Sequence, residues 1–129
     1  MIAVVVDGER FERWTSVSLY RSLDAAVTSF DLDYSDQWSE DGAQSVSVLG
    51  SSVAIYWDSE LLLTGYVDQT RYGVSAGAVA GSTQGRALTG DLVDCSVIHA
   101  TGHWRNRTAS QILRDIVAPF AIAIEIDPE

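Results

Sequence analysis

Lysine is absent from this chain of 129 residues; all eight of its cationic side chains are arginines. They stand against 18 acidic residues, for a formal net charge of −10. So acidic a chain repels phosphate backbones, and non-specific nucleic-acid binding would need a strong local basic patch. The one candidate is Arg105, Arg107 and Arg114 with His103 nearby, a set that reads first as a solvated face. The missing lysine itself reads as genome composition. A single cysteine excludes an internal disulfide, so the fold is not expected to depend on an oxidising compartment. No apolar run reaches about 18 residues, which leaves no candidate membrane-spanning helix. The apolar opening, Met1 to Asp7, lacks a basic leader and a small-residue cleavage site, so no secretory signal is expected.

What is present is a globular composition, 47% apolar and 20% charged, on a length suited to one domain with a core. The first two-thirds carries a strand pattern. Ile2–Val6 is an apolar run closed by the hairpin signal Asp7-Gly8. The chain resumes at Phe11 and enters "TSVSLYRS", where Val17 and Leu19 alternate with Ser16, Ser18 and Tyr20. "SLDAAV" (Ser22–Val27) is at best a short helical turn, with Ser22 or Asp24 as its cap. In "SFDLDYSD", Phe30, Leu32 and Tyr34 share one face, and Asp31, Asp33 and Ser35 share the other. Gln37–Gln44 reads as an exposed loop. "VAIYWD" and "LLLTGYVDQTRY" predict two strands around the turn Asp58-Ser59-Glu60, with Gly65 permitting a bulge or a close backbone approach. Gly73–Gly77 predicts a turn, and "AVAGSTQGR" a returning strand of small residues. Short strands joined by tight turns point to an antiparallel barrel or sandwich.

The last third changes character. Leu88–Val93 predicts a short helix or turn. In "TASQILRDIVAPF", Thr108 and Gln111 have capping-box spacing. Ile112, Ile116 and Val117 share a face flanked by Leu113, Arg114 and Asp115 lean outward, and Pro119 ends the helix. The apolar run Ala121–Ile126 reads as a further strand without a partner downstream, which suggests a piece of a longer chain.

The densest polar stretch, Thr89–Phe120, holds Cys95, His99 and His103 at intervals of four. On one helix they would align as metal ligands, with Asp91 or Asp94 completing the set, but Gly102 and the β-branched Val97, Ile98 and Thr101 oppose a continuous helix. No metal or cofactor site is expected. Ser96, His99 and Asp94 supply the residue types of a nucleophilic triad, and Cys95 with His99 those of a thiol pair. Neither has a nucleophile elbow, and residues so close in sequence seldom reach the geometry needed. Gly81, Gly85 and Gly90 match no phosphate-binding loop. Asn106-Arg107-Thr108 fits a glycosylation pattern, but Thr108 is better explained as a helix cap. "GHWRN", leading into a capped helix, suits a junction pinned by the large aromatic Trp104.

Four segments, "TSVSLYRSLDAAVTSFDLDYSD", "LLLTGYVDQTRY", "GRALTGDLVDCSVIH" and "GHWRNRTASQILRDIVAPFAI", together resemble the Mu-type bacteriophage baseplate hub family, also called tail protein P or late control D. The resemblance covers essentially the whole chain. Its motif positions here are Gly65, Tyr66, Gly90, Asp91, Leu92, Asp94, Cys95, Trp104, Asn106 and Thr108. It implies a mainly β fold: an antiparallel hub-type barrel, OB or split-barrel-like, with one or two short helices. Residues 1–98 would form this barrel, and 99–129 the connecting loop, helix and strand that open the next domain. It implies a non-enzymatic virion component of a contractile tail, in a phage or a prophage. Such a component forms a trimeric ring through which DNA passes, adapts the tail tube to the central spike, and needs neither cofactor nor membrane insertion. The alternative from another class is an OB-type barrel binding oligonucleotide or saccharide, with Tyr56, Trp57, Tyr66 and Tyr72 as stacking rings.

Overall fold

The computed structural model describes residues 1–36, 49–75 and 78–126. Seven strands precede two helices: β1 (Ile2–Val6), β2 (Glu9–Phe11), β3 (Trp14–Tyr20), β4 (Ser29–Asp36), β5 (Ser52–Trp57), β6 (Glu60–Ser75) and β7 (Ala78–Ala87), then α1 (Gly90–Asp94) and α2 (Ala109–Val117). A single 3-10 turn, Ala118–Phe120, follows α2. The strands form one antiparallel sheet in the order β2-β1-β5-β6-β7-β4-β3.

Two hairpins are set by two-residue turns in which both residues have positive φ. Asp7 and Gly8 (φ 50° and 86°) join β1 to β2, and Asp58 and Ser59 (φ 45° and 76°) join β5 to β6. This mirror-image turn matches the right-handed twist of the flanking strands. Asp7 also reaches across to β5. The Ser52 backbone N–H donates to its Oδ1 at 2.8 Å and the Ser52 hydroxyl does so at 3.2 Å. With the Ser51 hydroxyl as the leading cause, these donors hold the Asp7 carboxyl below its ordinary 3.8.

The sheet curls into a half-barrel. Its concave face holds the core: Val4, Phe11, Phe30, Leu32, Tyr34, Val53, Ile55, Leu63 and Val67 are all buried. Full burial of side chains such as Phe30, Leu32 and Ile55 stabilises by roughly 1.5–3 kcal/mol each. Among the described residues the outer strands β2 and β3 each have one neighbour, yet the end of β2 and the residues after it also reach β4. Phe11 meets Tyr34 edge-on at 5.7 Å, and the Ser35 N–H donates to Arg13 O at 3.4 Å.

The alternation in β4 requires a matching gap in β7. Phe30 pairs with Gly85, Leu32 with Thr83 and Tyr34 with Gly81. A Cβ at Gly81 would lie 2.1 Å from Tyr34 Cζ, and one at Gly85 would lie 2.5 Å from Phe30 Cζ. These glycines, which fit no phosphate loop, leave room for aromatic rings. Strand β6 is long because it serves two neighbours, β5 along its first half and β7 along its second. Register shifts leave Leu62 and Asp68 as extra residues that bend it. Gly65 stands between them where the backbones come close: a Cβ there would lie 2.0 Å from Arg86 O.

Four expectations need correction. Glu60 is the first residue of β6, not part of the turn, because it pairs with Trp57. Gly73 lies within β6, paired with Ala80, so it is not part of the turn expected at Gly73–Gly77; residues 76–77 lie outside the described ones. Ser22–Val27 contains a turn at Leu23–Asp24 and no helix, with the Ser22 hydroxyl bound to the Asp24 carboxylate. Residues 121–126 form no strand, since a strand exists only through a partner ladder and this one has none in the sheet. The loop expected at Gln37–Gln44 lies outside the described residues.

Candidate assembly site

The motif positions fall into two structural groups, one at the end of β7 and one at the start of α2. In the first, Ala87 N–H donates to Thr28 O (2.8 Å) and Leu88 N–H donates to Thr64 O (3.0 Å), which carries the chain off the sheet into α1. Gly90 is buried at the first position of α1, next to the Arg86 stem. Leu92 is half-buried, Asp91 is exposed, and the Cys95 N–H donates to Asp91 O at 2.9 Å. Arg86 organises this group. Its Nε lies 2.6 Å from Asp68 Oδ2, on the β6 bulge, and its Nη1 lies 2.7 Å from Asp94 Oδ2, at the end of α1. Hydrogen bonds to the two carboxylates, Asp68 first, raise the guanidinium pKa above its ordinary value. Tyr66 stands beside Arg86 in the ladder and is half exposed.

In the second group each residue of W-x-N-x-T has its own task. The Trp104 Nε1 donates to Asp115 Oδ2 of α2 at 3.1 Å, and its ring lies 4.3 Å from that of His99. Asn106 has φ 52°, a left-handed conformation that asparagine tolerates better than most residues. Thr108 caps α2: its Oγ1 accepts from the Gln111 N–H at 3.3 Å, and the Gln111 side chain accepts from the Thr108 N–H at 3.1 Å. Both halves of the capping box expected from the sequence are present. Val117 is buried, Ile112 and Ile116 are half-buried, and Leu113, Arg114 and Asp115 are exposed.

Cys95, His99 and His103 are not brought together as ligands. Among the described residues there is no group of three His, Cys, Asp or Glu side chains placed to hold a metal ion. Asp94 is bound to Arg86, His99 lies against Trp104, and Cys95 is an exposed free thiol. The aromatic residues proposed as a stacking platform also separate. Tyr72 pairs with Gly81 on the concave side and meets Tyr34 edge-on at 6.5 Å, whereas Tyr66 pairs with Arg86 on the convex side. The Asp68–Arg86–Asp94 bridge was not foreseen as a site. Asp68, the extra residue of the β6 bulge, meets Arg86 across the β6–β7 ladder, and no sequence spacing signals that.

Comparison with known proteins places this geometry. Residues 1–87 match the family model for the Mu phage baseplate assembly protein GpP-like N-terminal region. The chain belongs to that family. Residues 89–129 match the second domain of baseplate hub protein gp44-like proteins. The chain is 32% identical over 123 residues to baseplate hub protein gp44 of Escherichia phage Mu, covering 95% of this chain and 32% of the relative. A crystal structure of the prophage MuSo2 43 kDa tail protein from Shewanella oneidensis superposes with a TM-score of 0.85 at 28% identity, covering 99% of this chain and 39% of that one. The tail protein from Neisseria meningitidis MC58 superposes with a TM-score of 0.74 at 25% identity, over 92% of this chain and 33% of that one. The chain thus spans about a third of the length of the relatives it matches. Family membership supports a structural role in a phage tail baseplate.

Proposed function

We propose that this chain forms the first barrel, and the opening of the next domain, of a non-enzymatic hub in a contractile tail. Three copies of the full-length protein make a ring that adapts the tail tube to the spike. The observation that carries this reading is the half-barrel whose outer strands, β2 and β3, have one neighbour each among the described residues, in a chain of the baseplate family. A sheet that stops at such an edge presents unsatisfied backbone donors and acceptors, which a sister copy or tail neighbour satisfies by strand addition. A head-to-tail contact of this kind closes into a ring when the rotation allows. The formal charge of −10 suits the wall of a channel that duplex DNA must pass without sticking. The domain division lies near residue 98 in this reading, with α2 belonging to the following unit.

Negative-stain microscopy of the full-length protein tests it. Rings with a central opening are expected. Replacing Ser16 and Ser18 on the β3 edge by lysine, a residue natural edge strands use to block pairing, should disperse them. A uniform field of small particles from the unaltered protein refutes the reading.

A further inference from the structure

Arg86 binds two parts of the chain that the family match assigns to different domains. Asp68 and Arg86 lie in the segment matching the first domain (1–87), and Asp94 lies in the segment matching the second (89–129). Resting on the proposed hub reading, but with the boundary taken between residues 87 and 89 where the two family matches meet rather than near residue 98, we infer that Arg86 is a positioning residue: it fixes the direction in which the second domain leaves the barrel.

The seat of α1 is the basis for this. Five residues are too few for a helix that holds itself, because a single turn fixes several dihedrals for few hydrogen bonds. Its N-cap, Thr89, makes no side-chain cap bond. The anchors on the described residues are therefore tertiary. At the entry, the Leu88 N–H donates to Thr64 O, and Gly90 is buried beside the Arg86 stem, where an added Cβ would sit in ordinary contact at 3.6 Å from Arg86 Cβ. At the exit, Asp94 binds Arg86 Nη1 at 2.7 Å. One side chain thus lies beside the start of α1 and binds its end, while its Nε is fixed to the β6 bulge at 2.6 Å. A planar guanidinium can hold two carboxylates at once through separate N–H donors, whereas a lysine ammonium acts as a point charge.

Removing the cation does more than delete two contacts. Asp68 and Asp94 both lie within hydrogen-bond reach of one guanidinium, so without it two carboxylates face each other. Asp31 adds a third negative charge on the convex groove that Tyr20, Asp68, Gln84 and Arg86 also line. The repulsion would lift the end of α1 away from β6 and leave the Leu88 hydrogen bond as a pivot. A neutral side chain at position 94 should relieve that repulsion, which a packing role for Arg86 would not predict.

Amide hydrogen exchange on this chain tests the inference, read at Leu92 in α1 and at its C-cap Cys95 against Leu32, Ile55 and Val67 in the sheet. Arg86→Gln should speed exchange at Leu92 and Cys95 roughly tenfold and leave the sheet amides at wild-type rates. Arg86→Lys should fall between the two. The double variant Arg86→Gln/Asp94→Asn should exchange more slowly in α1 than Arg86→Gln alone. In the unaltered chain, about 1 M salt should accelerate α1 selectively. Unchanged α1 rates in Arg86→Gln would overturn the inference. So would equal acceleration of the sheet amides, or a double variant no slower than the single. None of these outcomes bears on ring formation, which the microscopy of the full-length protein reads separately.

Discussion

Gly81 and Tyr34 provide a sharp test of how the barrel wall is packed. Alanine at 81 would place a methyl carbon 2.1 Å from Tyr34 Cζ and 2.4 Å from both Cε2 and the hydroxyl oxygen. Favourable carbon contacts begin near ~3.5 Å. Tyr34 is 3% exposed and meets Phe11 and Tyr72 edge-on, so its ring cannot shift without disturbing those contacts. Overpacking of this kind costs about 1–3 kcal/mol. Alanine regains roughly 0.5–1 kcal/mol of strand preference over glycine, so a net loss of up to about 2.5 kcal/mol is expected for Gly81→Ala. The three nearest obstructing atoms all belong to one side chain. Tyr34→Leu alone should cost about 1–3 kcal/mol for the lost ring, and Gly81→Ala added to it should cost nothing further. That is a coupling of up to about 3 kcal/mol between the sites, set by the overpacking cost.

Gly65 is the control. A Cβ there meets Arg86 O at 2.0 Å, Arg86 C at 2.7 Å and Ala87 Cα at 2.9 Å, all backbone. Gly65→Ala should lose ~3 kcal/mol or more, and no side-chain truncation should restore it. Urea titrations of the four combinations of Gly81→Ala and Tyr34→Leu, followed by tryptophan fluorescence, give the numbers. Simple additivity of the two substitutions would refute the reasoning.

Three further outcomes are expected. Thr108→Ala removes the cap of α2 at a cost of about 1 kcal/mol, which should speed amide exchange at Gln111 and Ile112 about fivefold without moving the sheet amides. Asp7 has a folded pKa below its ordinary 3.8, so its ionised form stabilises the fold above that pH and the contribution is lost as pH falls through the folded value. Asp7→Asn should therefore lower the melting temperature near pH 6, and the gap from the unaltered chain should narrow as pH falls below 3.8. Titration with a single-stranded oligonucleotide at low salt should give no saturable binding; saturation would favour the ligand-binding barrel instead.

Local signals in the sequence carried much of the fold. Asp7-Gly8 and Asp58-Ser59 adopt the positive φ angles that a two-residue hairpin needs, and the apolar residues of "SFDLDYSD" lie at 1%, 0% and 3% exposure. Thr108 and Gln111 announced the start of α2 because a capping box is complete within four residues. What stayed hidden depends on register. Gly81 and Gly85 are intelligible only once β7 is known to pair with Tyr34 and Phe30. Arg86 drew no notice because its partners lie 18 residues before it, on a bulge, and eight residues after it, on a separate helix. The run Ala121–Ile126 has strand composition, but composition supplies no partner.

Light scattering on the full-length protein tests the central claim, that this barrel wall exists to meet copies of itself. The account predicts a particle with the mass of three chains, reduced to one by lysines at positions 16 and 18. A single-chain mass for the unaltered protein at micromolar concentration would contradict it.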